Sequence, residues 1–252
     1  MGPWFAALRR RAARAWRWVW RGTGRRTPWL RRILAILFLF ALPLPVLLLL
    51  FFRFVPLPGT PEMLWRLVTL QPVHYSWRGY DEISPELPRA VIAAEDQDFC
   101  THNGFDWKDI NLALEEHRRH PNKPLRGAST ISQQTARTLF LVSTRSWIRK
   151  GLEAYLTVMI EALWPKKRIL TAYLNLVDWG HGNYGAQAAA EAYFGTDAAH
   201  ISRAQAARLA AILPNPDRWR ADRPGRYVAQ RSKHLRGQAF NVAEGGLDWC
   251  VK

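Results

Sequence analysis

Several things are scarce or missing in this sequence, and each absence narrows the chemistry. Only two of the 252 residues are cysteine, Cys100 and Cys250. They form one disulfide in an oxidising compartment or stay free, and their spacing does not decide which. The histidines and cysteines are too scattered for a zinc site. There is no H-E-x-x-H, no G-x-S-x-G, and no S-x-x-K, S-D-N or K-T-G. Zincin, nucleophile-elbow and acyl-serine chemistries lose their usual signatures with them. No alternating polar and apolar run is longer than a few residues, which argues against a sheet-based fold. Internal repeats and low-complexity tracts are absent from the second half. The one glycine pattern, GHGNYG at Gly180–Gly185, matches G-x-G-x-x-G but follows a helical pattern. With no strand before it, it reads as a turn between helices.

Acids are missing altogether from residues 1–32, which hold ten arginines and so most of the +16 net charge. An uncharged run follows, ILAILFLFALPLPVLLLLFF, Ile33 to Phe52. At 1.5 Å per residue it reaches about 30 Å, the thickness of a bilayer core. Pro43 and Pro45 are kink points of a kind that membrane helices tolerate. The expected organisation is a basic cytoplasmic tail over 1–32, a single transmembrane anchor over 33–55, a connector over 56–80 and an exported domain over 81–245. The orientation comes from the positive-inside rule. Trp16, Trp20 and Trp29 suit the interface beside the bilayer. The arginines then need no nucleic acid to explain them. No small-x-small site follows the apolar core, so the anchor is expected to stay uncleaved.

The exported part reads as helical. Apolar residues recur at helical spacing in 86–95, 106–117, 131–141, 147–164, 168–177, 186–194, 203–212 and 227–240. Thr130 with Gln133 and Ser202 with Gln205 are capping boxes. Ser84-Pro85-Glu86 reads as a helix start with a serine N-cap, and Gly195 as a helix end. The expectation is an all-α or nearly all-α domain behind one N-terminal transmembrane helix.

Two carboxylates stand out. On a helix from Glu86, the residues Leu87, Val91, Ile92 and Ala94 form one apolar face. Glu95 falls among them, while Asp96 falls on the opposite, solvated side. Either the helix has ended and Glu95 is a solvated loop acid, or Glu95 is a desolvated carboxyl with a raised pKa, suited to general acid/base work. The second is Glu153, on the helix after Ser146. It shares a face with Arg149 and Lys150, and Arg137 and Arg145 lie upstream. An ordinary i,i+4 pair explains Arg149 and Glu153. Four bases around one acid also suit a phosphate or diphosphate. Between the two acids lies GASTISQQ, Gly127–Gln134, rich in hydroxyl and amide side chains. It serves as a helix start or as a polar surface for sugars.

Taken in order, these stretches resemble one family. EDQDFCTHNGFD at Glu95–Asp106 resembles the E-D-x-x-F-x-x-H-x-G-x-D signature of the peptidoglycan glycosyltransferases, the lysozyme-like polymerase domains of the bacterial cell wall. GASTISQQ resembles their second motif, and Arg149–Glu153 resembles R-K-x-x-E. KRILTAYLN at Lys167–Asn175 resembles the fourth motif and LAAILPNP at Leu209–Pro216 the fifth. No transpeptidase motif accompanies them, so the chain looks like the monofunctional biosynthetic branch, the transglycosylases. It departs at Thr171, where many members carry an acid, and at Arg137, where many carry lysine.

The resemblance implies a lysozyme-like fold and glycan polymerisation from lipid II. The acceptor 4-hydroxyl attacks the anomeric carbon of the growing chain with inversion, and polyprenyl diphosphate leaves. Glu95 is then the base. Glu153, with Arg149 and Lys150, serves the leaving diphosphate. Arg137 and Arg145 hold its oxygens, and Ser132 and Gln134 contact sugar or phosphate. Asp96, His102 and Asp106 are supporting groups. No tightly bound cofactor is expected, although a Mg²⁺ ion on Glu153 and the diphosphate fits the chemistry. The implied partners are lipid II, nascent glycan strands, the membrane and cell-wall synthesis proteins, with no nucleic acid. The implied location is the inner membrane with a periplasmic catalytic domain. Two rivals share the pattern. A glycan-cleaving enzyme of the same fold also needs two carboxylates, but has no use for the bases. The other is a non-catalytic membrane-anchored scaffold.

Overall fold

A computed structural model of the chain describes residues 29, 32–33, 43–122, 127–141 and 146–252. It divides into two units, 1–51 and 52–252. In the first, the described part of the apolar run is helical, α1 (Pro43–Phe52), and both expected kink prolines stand in it. Among the described residues no helix is long and apolar enough to cross a membrane. The basic tail, apart from Trp29 and Arg32, and residues 34–42 of the apolar run lie outside the described residues.

The second unit is mostly helical. All eight helices expected from periodicity are present: α3 (Glu86–Glu95), α4 (Trp107–Arg119), α5 (Ile131–Phe140), α6 (Trp147–Leu163), α7 (Lys166–Leu176), α8 (Gly185–Phe194), α9 (Arg203–Ile212) and α10 (Arg226–Glu244). Both capping boxes form, and Gly195 ends α8 in the left-handed region at φ 61°. Ser84 is not the cap of α3. Its hydroxyl donates to the Ile201 carbonyl at 2.7 Å, and Pro85 precedes the helix without a side-chain cap.

The stretch 56–80 is more than a connector. It holds α2 (Pro61–Val68), capped by Thr60, whose hydroxyl accepts from the Met63 N–H at 3.1 Å. It also holds β1 (His74–Tyr75), paired in parallel with β2 (Asn183–Tyr184). α2 is only eight residues long and follows the Pro- and Gly-rich stretch VPLPGT, so it passes for part of a connector although its side chains are amphipathic. The glycine-rich turn makes the β pairing possible. Gly182 has φ 81°, and a Cβ there would lie 2.2 Å from the Pro72 carbonyl oxygen. Only glycine permits that approach.

Two packing groups position the site. α7 is buried from Ile169 to Leu176 and packs against α5 and α8. α3 packs against α9 and α10, which also pack on each other. Ala206, Ala207, Ala210 and Ala211 line the buried side of α9 and let its neighbours come close. Leu87, Val91 and Ile92 of α3 are 0% exposed. Each fully buried side chain of this size stabilises by about 1.5–3 kcal/mol. Cys100 and Cys250 are joined in a disulfide that spans 150 residues of sequence. It ties the C-terminal turn to the segment just after α3. In chain-entropy terms such a loop contributes roughly 5 kcal/mol.

Candidate active site

Glu95 is the last residue of α3 and is half-buried. The helix does end there, yet Glu95 is not a solvated loop acid. Burial pushes its carboxyl above the usual range. A hydrogen bond from Gln134, and the charges of Arg231 and Arg137, pull the other way, while Asp96 adds to the rise. The Gln134 Nε2 donates to Glu95 Oε2 at 2.9 Å. The carboxyl lines a cleft of about 300 Å³ together with Asp106, Lys108, Leu112 and Ser129.

Asp96 is not on a solvated face. At 7% exposure it is buried, because the chain leaves the helix at that residue, with φ −166° and ψ 78°. The helical rotation that places it opposite Glu95 therefore no longer applies. Its Oδ2 accepts from the backbone N–H of Ile131, the first residue of α5, at 2.9 Å. A carboxylate at a helix N-terminus is favoured by the helix dipole. Its Oδ1 lies 2.8 Å from His102 Nε2. His102 Nδ1 accepts from the Gly104 N–H at 3.2 Å, so Nε2 is the nitrogen that donates to Asp96. Asp96 and His102 together join the end of α3 to the start of α5. Asp106 caps α4 by accepting from the Asp109 N–H at 2.9 Å and faces the same cleft as Glu95.

The polar stretch 127–134 divides its side chains between packing and cleft. Thr130 and Gln133 are occupied by the capping box. Ser132 is 0% exposed, and its hydroxyl donates to Glu161 on α6. Glu161 also accepts from Lys166 Nζ at 2.7 Å. Ser132 thus sits beneath α6, away from the cleft lining. Ser129 and Gln134 face outward.

Glu153 on α6 is 1% exposed and is held by two bases, Arg149 Nη1 at 3.2 Å and Lys150 Nζ. This is more than an exposed i,i+4 pair, since the acid is out of water and both its oxygens face cations. Lys150 Nζ also lies 3.4 Å from Ser129 Oγ, on the rim of the Glu95 cleft. Arg137, Arg149 and Gln134 line a second cavity of about 470 Å³ with Tyr173. Arg145 lies outside the described residues. Among those described, no group of three or more His, Cys, Asp or Glu could hold a metal ion. Glu153 alone, flanked by two cations, does not fit a divalent ion.

Sequence reasoning missed three contributors. Tyr173 on α7 donates its hydroxyl to Gln134 Oε1 at 3.3 Å. Burial holds its phenol well above the ordinary value, and the Glu95 charge adds to this. It stands in the quoted stretch KRILTAYLN, but inside an apolar pattern it reads as core. Glu161 and Arg231 carried no local signal. Thr171 spends its hydroxyl on the Lys167 carbonyl at 2.6 Å, inside its own helix.

Residues 64–239 match the family described as Transglycosylase. The chain is 48% identical over 222 residues to a protein of Caulobacter vibrioides named "Biosynthetic peptidoglycan transglycosylase", covering 88% of this chain and 96% of that one. It is 51% identical over 220 residues to a protein of the same name from Chromohalobacter salexigens, covering 83% and 93%. The Pseudomonas aeruginosa protein of that name is 48% identical over 213 residues, covering 82% and 90%.

Proposed function

The chain belongs to the transglycosylase family, and from that premise we propose how its two carboxylates divide the reaction. It is a peptidoglycan glycosyltransferase that polymerises glycan chains in cell-wall synthesis. Glu95 is the general base. It takes the proton of the acceptor 4-hydroxyl of lipid II as that oxygen bonds to the anomeric carbon of the growing chain. The anomeric bond to the lipid diphosphate breaks from the opposite face, its electron pair leaves with the diphosphate, and the configuration inverts. A raised pKa suits this step, because a base near the working pH accepts a proton readily.

Arg137, Arg149 and Lys150 receive the departing diphosphate, with Arg145 as a further charge from the adjoining segment. Planar guanidinium groups match phosphate oxygens two at a time. Glu153 orients Arg149 and Lys150 and keeps them from repelling each other. Any divalent ion would need the substrate's own diphosphate oxygens as ligands. Asp96, His102 and Asp106 hold the loop that shapes the Glu95 cleft.

The observation that carries this reading is Gln134. Its amide donates to Glu95 and also lines the cavity that Arg137 and Arg149 share. One residue thus connects the proton acceptor to those two arginines. Glu62, Asp178 and Asp217 line the same cavity, and Arg66 pairs with Asp178 at 3.4 Å. Arg137 and Arg149, with Lys150 at the cleft rim, support transfer from a diphosphate over hydrolysis of a sugar–sugar bond. The domain works at the outer face of the inner membrane, behind an anchor over 33–55. The disulfide supports this, since such bonds persist in oxidising compartments.

The test is purified full-length protein with lipid II. Wild type makes polymer and Glu95→Gln does not. Shortening of preformed glycan without polymer formation would overturn the reading in favour of hydrolysis. Binding of lipid II with no product at all would favour a scaffold.

A further inference from the structure

We propose that Arg231 is a positioning residue for Glu95, supplying from α10 the opposite charge that holds the carboxylate ready at the cleft. The inference rests on the reading of Glu95 as the base.

The geometry comes from helix packing. Arg203 at the start of α9 pairs with Glu86 at 2.8 Å and lies 5.7 Å from the Phe240 ring centre. The beginning of α3 therefore lies beside the end of α10. The chain after α10 then turns back along α3, with Asp248 on Arg89 at 3.0 Å and Cys250 on Cys100. So α10 itself runs antiparallel to α3. Glu95 lies as far along α3 from Glu86 as Arg231 lies back along α10 from Phe240, about 14 Å on each helix. The two residues meet at the same level.

Arg231 also stands on the packed side of its helix. Val228, Leu235, Ala239 and Val242 form the buried stripe of α10, and Arg231 is half-buried between the first two. Its Nε is buried without a hydrogen-bond partner among the described residues. A half-buried base on one helix and a half-buried acid on another that packs against it are within electrostatic reach. Among the charges that act on Glu95, Arg231 is the stronger of two opposing ones.

Other groups face Glu95 as well. Asp96 follows it but is committed to Ile131 and His102. Arg137 comes from α5 and Tyr173 from α7. Asp98, Asp106, Lys108 and Asp109 line the cleft. Arg137 belongs to the second cavity, where substrate diphosphate would draw its charge away. Arg231 has no second claim on it. It keeps Glu95 able to serve as a base in a site where burial favours the protonated form.

The experiment measures initial polymerisation rate against pH for full-length wild type, Arg231→Gln, Arg231→Met and Arg231→Lys. In parallel, the Glu95 carboxyl is titrated by carbon NMR of ¹³Cδ-labelled glutamate, its signal assigned by loss in Glu95→Gln. In Arg231→Gln the acid-side midpoint and the Glu95 titration should both move to higher pH. Arg231→Lys, which keeps the charge, should move them back toward wild type. Arg231→Met, which keeps the buried stem, carries the same test should Arg231→Gln not fold. Unmoved titration and midpoint in the neutral variants would overturn the proposal, as would a rate lowered equally at every pH. If the NMR titration moves and the rate profile does not, the Arg231 pairing stands and the base role of Glu95 fails.

Discussion

Glu95 and Glu153 begin alike and end differently. Both are carboxylates carried by helices that line the site, Glu95 in an apolar stripe and Glu153 beside two bases. Glu153 is in direct contact with two bases, Arg149 and Lys150, and is almost completely shielded from water. Glu95 is half open to a cleft, and among the described residues its direct side-chain partner is a neutral amide. A buried acid in contact with two cations is committed to those partners. An acid with an amide partner and a solvent-facing side can take up a proton and give it back. Burial alone does not assign a role to an acidic side chain, whereas the identity of its partners does.

Exchanging each acid for its amide tests that contrast most directly. Glu95→Gln should cut the initial polymerisation rate by about 10²–10⁴-fold. Its melting temperature at neutral pH should not fall below wild type, measured by calorimetry. Glu153→Gln should do the reverse in kind, leaving Arg149 and Lys150 without their counter-charge. Because Lys150 and Arg149 keep access to water, the loss should be about 1–3 kcal/mol, read from denaturant unfolding. The contrast collapses if Glu95→Gln unfolds the protein and Glu153→Gln does not.

The disulfide sharpens the same comparison, because it anchors only the Glu95 side. Replacing Cys100 and Cys250 by serine should lower unfolding free energy by about 2–5 kcal/mol. Hydrogen exchange should rise first in residues 96–105, with α6 protected longer. Equal loss of protection in both places would deny the disulfide a local role.

A pH series tests the burial of Glu95 by its sign. Burial raises the Glu95 pKa in the folded state. Such a group favours folding fully only below its unfolded value, and that contribution is lost as pH rises through the folded value. Glu95→Gln should therefore gain stability relative to wild type at neutral pH and none in acid. Wild-type activity should run the other way and fall as pH drops through the raised value. A gain that is the same at all pH would show that Glu95 is not desolvated.

The smallest effect is expected at Tyr173. Tyr173→Phe removes the donor to Gln134 Oε1 and should cost about 0.5–1.5 kcal/mol in transition-state terms, a few-fold in rate. An unchanged rate would mean that Gln134 orients without help.

Much of this was legible before any coordinates. The eight helices of the domain follow from periodicity, and both capping boxes form as spaced. Glu95 is conspicuous because an acid in an apolar stripe breaks the pattern. Other features were not legible. Asp96 changes face because the helix stops one residue before it, and helix ends are the least determined part of a periodic pattern. The α2 helix is eight residues long beside a Pro- and Gly-rich stretch, too short for its pattern to stand out. Tyr173 looks like core until the amide of Gln134 is seen against its hydroxyl.

The sequence by itself determined the helices, the placement of one acid on an apolar face and the other beside bases, and the family, because these depend on side-chain order along a single stretch of chain. Only the tertiary structure decided which acid is shut away from water and which opens on a cleft. That choice depends on Gln134, Tyr173 and Arg231, which come from three other helices. Their distance from Glu95 is set by how α5, α7 and α10 pack, and a carboxyl's protonation responds to charges, donors and burial in space rather than to neighbours in order.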